Sequence, residues 1–214
     1  MNKISFHRVV PNVFAQTVDL QSEVWKQDVS FEKGKQYLVE AHSGKGKSTF
    51  CSYIAGYRCD YSGKIMFDGQ NTADLRVADW VHVRKVQLGY LFQELRLFPE
   101  LTALENIEIK NTMTHFLSAR QIGNWFERLG IADKQNTRVR CMSYGQQQRV
   151  ALVRALAQPF DFLLADEPIS HLDDRNARIM GEIMQEEARR QGAGIIVTSI
   201  GKHLDLDYER VVKL

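Results

Sequence analysis

Proline is scarce in this chain, at 4 of 214 residues, and glycine is ordinary at 14. That excludes collagen-like and linker-like polymers, which are built largely from those two residues. Cysteine is nearly absent. Cys51, Cys59 and Cys141 are too few for a disulfide framework and lack the spacing of a zinc site; buried thiols are expected. An excess of one charge is also missing, since Lys+Arg 28 against Asp+Glu 26 leaves +2. A wide basic field of the kind that binds nucleic acid is therefore not expected. No run approaches the ~18 apolar residues of a membrane span, the best being 193–200, and residues 1–8 hold no apolar segment of the signal-peptide type. These absences point to a soluble, cytosol-compatible protein that would serve a membrane only through a partner. Hydrophobic residues at 44% and charged residues at 25% match globular usage and exclude a disordered chain.

Hydrophobic patterning alternates short strand-like runs with longer helical ones. Residues 36–41 read as a buried strand entering a Gly-rich turn, after which Phe50, Tyr53, Ile54 and Tyr57 form the i, i+3, i+4, i+7 stripe of a helix. Residues 64–67 followed by Asp68-Gly69 predict a strand and a tight turn, and 86–92 predict another strand. Strand signals fade over 95–142, where Phe126 and Leu129 mark an amphipathic helix within 118–129. We read 95–142 as a mostly helical subdomain inserted into one domain spanning 1–214. Beyond it the pattern predicts a helix at 145–157, a strand at 160–165, a helix at 174–190 and strands at 194–198 and 210–213. Alternating strands and helices imply an α/β fold with a mostly parallel sheet covered on both faces.

Between strand and helix lies Ala41-His42-Ser43-Gly44-Lys45-Gly46-Lys47-Ser48. It fits the phosphate-binding pattern G-x-x-x-x-G-K-[ST] everywhere except the first position, where Ala41 replaces glycine. Gly44 and Gly46 let successive N–H groups turn inward to phosphate oxygens, and the start of the following helix adds its positive dipole end. Lys47 supplies charge to the β- and γ-phosphates, and the Ser48 hydroxyl is placed to ligate Mg²⁺. An ordinary Gly/Ser/Lys surface loop is the alternative, and the strand–loop–helix setting argues against it. The run Phe162-Leu163-Leu164-Ala165 ends in Asp166-Glu167. Two acids capping a strand often only begin a loop. Paired with the Lys47 turn, Asp166 is expected to hold Mg²⁺ through water and Glu167 to polarise the attacking water.

Further segments carry a resemblance. Met142-Ser143-Tyr144-Gly145-Gln146 resembles the L-S-G-G-Q signature of ATP-binding cassette (ABC) ATPases. Gly89-Tyr90-Leu91-Phe92-Gln93 is similar to that family's Q-loop, and Ser170-His171-Leu172-Asp173 to its D-loop, all in the family's order. The resemblance implies a P-loop NTPase with a RecA-like core, an N-terminal antiparallel β region and the inserted helical subdomain. It also implies that two copies pair head to tail, with ATP held between Ser43, Gly44, Lys45, Gly46, Lys47, Ser48 and Thr49 of one copy and Ser143, Gly145 and Gln146 of the other. Mg²⁺ would be held by Ser48, Gln93 and Asp166. Glu167 and Gln93 would act in catalysis, Gln93 also relaying to a membrane partner, and Phe14 is the candidate for stacking on adenine, a core or edge aromatic being the alternative.

The implied role is an ATPase subunit that drives a separate integral membrane permease, cytoplasmic and peripheral on the inner face of the membrane, with no nucleic-acid partner. The lipoprotein-releasing, macrolide-export and cell-division branches look most similar, through Leu163 to Pro168 and the segment after Gln93. Departures are Ala41, Tyr144 for the first signature glycine, Ile169-Ser170-His171 where those branches commonly have Thr-Gly-Asn, and Ser199 where the family's switch histidine stands. His203 lies four residues on as a possible substitute. Two other readings stay open: a nucleotide-binding module with weak or no hydrolysis, motivated by Ser199, and a soluble ABC ATPase outside transport.

Overall fold

The computed structural model describes every residue except Val18, Asp19, His42, Ser43, Lys45 and His171. Two sheets organise the chain. β1 (Lys3–Pro11), β2 (Asp28–Glu32), β4 (Tyr61–Phe67) and β5 (Gln70–Asn71) form an antiparallel sheet in the order β2-β1-β4-β5. β3 (Gln36–Glu40), β6 (Leu88–Leu91), β7 (Phe162–Asp166), β8 (Gly194–Ser199) and β9 (Arg210–Lys213) form a parallel sheet ordered β6-β7-β8-β3-β9. The helices are α1 (Lys47–Ile54), α2 (Val77–His82), α3 (Ala103–Asn111), α4 (Ala119–Arg128), α5 (Tyr144–Leu156) and α6 (Asp174–Gln191). Among the described residues no helix is long and apolar enough to cross a membrane.

The parallel strands carry unbroken apolar runs because both of their faces are covered. All residues of β7 and β8 are buried. Their period of two divides the interior: Leu163, Ala165, Ile195 and Val197 join the core beneath α3, α4, α5 and α6. Phe162, Leu164 and Ile196 join the core shared with the antiparallel sheet, where Phe6 stacks on Phe50 at 5.2 Å between centroids. Each fully buried Phe, Leu or Ile stabilises by roughly 1.5–3 kcal/mol.

Three helices begin with reciprocal caps legible as S/T-x-x-E/Q: Thr102 with Glu105, Ser118 with Gln121, and Ser143 with Gln146. The Asp68-Gly69 turn joins β4 to β5, with both residues at positive φ. Some expectations need correction. α1 stops before Tyr57, because Gly56 adopts a left-handed conformation (φ 66°), Gly56 N donates to Tyr53 O and Tyr57 N donates to Ser52 O. That is a Schellman stop, and it turns Tyr57 out of the helix. A Cβ on Gly56 would lie 2.5 Å from the Trp80 ring, so glycine is also required there by space. Only Cys51 is a buried thiol; Cys59 and Cys141 sit on surface turns and are exposed. The 86–92 strand is shorter than expected, since residues 83–87 wind into a wide helical turn before β6.

Candidate functional site

In a parallel sheet every strand ends at the same edge, and here that edge gathers the chemistry. β8 lies between β7 and β3, so Asp166 pairs in register with Thr198, and Glu40 with Ser199. Ala41 N donates to Ser199 O at 3.1 Å, which extends the ladder one residue into the phosphate-binding pattern. Ala41 is not held at positive φ, so it takes the place of glycine without strain. Gly46, in contrast, sits at φ 98° as the N-cap of α1. A Cβ there would come 3.2 Å from Phe14 Cε2 and 3.4 Å from Trp25 Cζ2. The two rings thus floor the turn, and glycine lets the backbone approach them. Ser43 and Lys45 lie outside the described residues, as does His171 of the 170–173 segment; Gly44 is exposed at positive φ (79°).

The Lys47 ammonium is almost wholly buried, donates to Ala41 O at 3.1 Å, and lies 3.4 Å from Glu167 Oε1. A buried cation of this kind needs an anion nearby. Ser48 Oγ donates to Gln93 Oε1 at 3.3 Å, which joins the start of α1 to the segment after β6. Asp166 is buried, and burial pushes its carboxyl above the usual range; hydroxyls of Thr198 and Ser48 oppose that shift, and the charge of Glu167 adds to it. Hydroxyl, amide and carboxylate oxygens from Ser48, Gln93 and Asp166 form a hard donor set suited to Mg²⁺ completed by phosphates. The residues fit that ion. Thr49 Oγ1 accepts from Arg58 Nη1 at 3.0 Å.

Thr198 was not among the expected site residues. Its Oγ1 donates to Asp166 Oδ1 and accepts from Glu167 N at 3.3 Å, and its carbonyl accepts from Glu167 N at 3.1 Å. It therefore aims both acids. Glu167 itself is held at φ 49°, a left-handed conformation that costs a non-glycine residue roughly 1–3 kcal/mol and tends to occur at functional positions.

Ser143 caps α5, and Gly145 and Gln146 lie in its first turn. Gln146 N donates to Ser143 Oγ at 3.3 Å, and Ser143 N donates to Gln146 Oε1 at 2.9 Å. Within one chain these groups cap their own helix. Tyr144 makes a connection that was not expected: its hydroxyl donates to Gln93 O at 3.1 Å.

Ser199 is 2% exposed, and its Oγ donates to Lys202 O and accepts from Gly201 N at 3.2 Å. The hydroxyl is spent on the 199–202 turn. His203, four residues on, has its Nδ1 4.0 Å from Glu40 Oε1 and packs its ring against Tyr208.

A family model for ABC transporters matches residues 26–170. The macrolide export ATP-binding/permease protein MacB of Rhodopseudomonas palustris (strain HaA2) is 31% identical over 210 residues, which are 97% of this chain and 31% of that protein. The phosphonates import ATP-binding protein PhnC of Stutzerimonas stutzeri is 32% identical over 185 residues, 79% of this chain and 67% of that protein. The dimeric post-hydrolysis state of the ATP-binding cassette MJ0796 bound to ADP and Pi is similar in structure, with a TM-score of 0.80 at 26% identity over 99% of this chain and 94% of that one. A bacterial Atm1-family ABC exporter with ATP bound shares the fold, at a TM-score of 0.79 and 22% identity over 100% of this chain and 37% of that one. The chain thus spans about a third of the length of the MacB protein it matches.

Proposed function

The chain belongs to the ABC transporter family of ATP-binding cassette ATPases, and from that premise we propose that it is the ATP-hydrolysing subunit of a transport-type complex, driving a separate membrane permease from the cytoplasmic side. The observation that carries this reading is the convergence of Lys47, Glu167, Ser48, Gln93 and Asp166 at one sheet edge. The backbone of residues 43–49 and the Lys47 charge bind the triphosphate. Ser48, Gln93 and Asp166 would hold Mg²⁺, which would supply positive charge to neutralise the phosphates. Glu167, anchored through its N–H to Thr198, accepts the proton of the attacking water. Phe14, half-buried beside Gly46, is the candidate to stack on the base.

A second copy completes the site by bringing Ser143, Gly145 and Gln146, at the positive end of α5, to the γ-phosphate. Similarity to the dimeric MJ0796 cassette supports that arrangement. The match to MacB over nearly the whole chain, with the Leu163–Pro168 motif, favours the macrolide-export, lipoprotein-releasing and cell-division branches.

A second reading, a nucleotide-binding module with slow or no turnover, is favoured by one observation: Ser199 is committed to its own turn. A single experiment addresses both readings. Titration with Mg²⁺-ATP should show Lys47→Ala weakened about ten- to hundredfold, the scale of losing a charge-assisted contact. Equal affinity of mutant and wild type would remove the P-loop assignment. Phosphate release by the wild type in the same samples separates an ATPase from a silent module.

A further inference from the structure

Arg58 follows the left-handed stop of α1 at Gly56 and lays its side chain back along that helix. Its guanidinium lies 5.7 Å from the centre of the Tyr53 ring. Nε donates to Asp60 Oδ1 at 2.9 Å and Nη2 to Asp60 Oδ2, while Nη1 donates to Thr49 Oγ1 at 3.0 Å. Thr49 and Tyr53 stand four positions apart on one face of α1, so a side chain lying on that face meets both. The same segment carries the turn of Phe14. β1 pairs with β4 through Pro11 and Tyr61, and Asp60 O accepts from Asn12 N at 3.0 Å and from Tyr53 Oη at 2.9 Å. Arg58 and Asp60 therefore touch both ends of the proposed nucleotide site, the turn that presents Phe14 and Thr49 of the phosphate-binding helix.

Stability is a weak reason for this pair. Both side chains are 40% exposed, and exposed ion pairs add little. The bonds of the Asp60 carbonyl to Asn12 and Tyr53 hold the turn without the Arg58 side chain. Nor is Arg58 a free charge for phosphate, since Asp60 neutralises it; Arg58 in turn holds the Asp60 carboxyl below the usual carboxylate range. What the arrangement fixes is a proton. The Thr49 hydroxyl has one hydrogen and two acceptor sites. Arg58 fills one acceptor site with a charged donor, which leaves the Thr49 hydrogen to donate to another group. The ionised oxygens of a triphosphate only accept, so a hydroxyl fixed as a donor is complementary to them.

We propose that Arg58 is a nucleotide-positioning residue, holding the Thr49 hydroxyl as a hydrogen-bond donor to the phosphates of ATP. The proposal rests on the ATP-binding reading above and adds a residue outside its motifs. The test is a double-mutant cycle read by calorimetric titration of the full chain with Mg²⁺-ATP. Arg58→Met should weaken binding about tenfold, the scale of one hydrogen bond to a charged group. In a Thr49→Val background, where no hydroxyl remains to be oriented, Arg58→Met should change the affinity by less than about twofold. In a Thr49→Ser background, which keeps the hydroxyl, it should again cost about tenfold. Thermal unfolding of each variant reports whether it is folded.

Wild-type affinity in Arg58→Met, with Lys47→Ala weakened, overturns the proposal and leaves the ATP-binding reading intact. An equal loss from Arg58→Met with and without the Thr49 hydroxyl overturns it as well, because Arg58 would then act on the nucleotide or on the fold directly. A folded wild type that does not bind Mg²⁺-ATP overturns both.

Discussion

Thr198 and Ser199 are neighbours in β8 with opposite duties. Thr198 orients the two acids across the strand pair, while Ser199 turns its hydroxyl back to close the 199–202 turn. Ser199 is the residue where the resemblance to ABC ATPases implies a histidine addressed to the γ-phosphate. Losing one preorganised donor to developing charge costs about 10²–10³ in rate, or roughly 3–4 kcal/mol. Basal hydrolysis should therefore be slow with ordinary ATP affinity, Glu167 carrying the chemistry. Ser199→His is expected to raise the turnover number at least tenfold, a part of that deficit. Ser199→Ala, which loses the same turn contacts without gaining a donor, should not raise it. Steady-state phosphate release on both variants decides, and equal rates for all three proteins would show that another group fills the role. Ser199 was visible in the sequence as a departure. Where its hydroxyl points was not, because that depends on a turn closed by the backbone of Gly201 and Lys202.

At the scale of elements, α5 ties the signature region to the segment after Gln93. Tyr144 at its first turn bonds the Gln93 carbonyl, and Arg154 near its last turn bonds those of Leu95 and Arg96. Leu95 and Arg96 are consecutive non-glycine residues at positive φ (59° and 49°), each costing roughly 1–3 kcal/mol. Arg154 offsets that strain with two charge-assisted bonds of roughly 1.5–3 kcal/mol each, less the cost of its own desolvation. Arg154→Met should destabilise the protein by about 2 kcal/mol and speed hydrogen exchange at the amides of Leu95 and Arg96, whose bonds to Phe92 O and Glu94 O depend on the strained loop. Unchanged exchange there would mean that the loop is held by other contacts. The three reciprocal caps could be read from residue spacing because a cap is local. The left-handed pair could not: neither residue type marks that conformation, and the restraint comes from a side chain 58 positions away.

For the whole molecule, the proposed function divides the nucleotide site between the edge of the parallel sheet and the capped start of α5. Two copies related by a twofold axis would complete two sites at once. Glu167→Gln keeps the shape of the side chain and removes the base, so ATP should remain bound and hold the two copies together. Its hydrolysis should fall about 10²–10⁴-fold, with a dimer on size-exclusion chromatography in ATP that disappears without nucleotide. Wild-type turnover by this variant would refute the role given to Glu167.

The sequence by itself determined the P-loop chemistry, the acidic strand end, most helices of the parallel-sheet region and the order of motifs, since each of these is written within a few adjacent residues. It also held the apolar runs that require a sheet covered on both faces. Only the tertiary structure decided that β8 would lie between β3 and β7, that Thr198 would therefore stand beside Asp166, and that Tyr57, Arg84 and Arg154 would share a groove. Those neighbours are set by hydrogen-bond ladders and packing between residues some 30 to 160 positions apart, and local periodicity carries no record of such distant pairings.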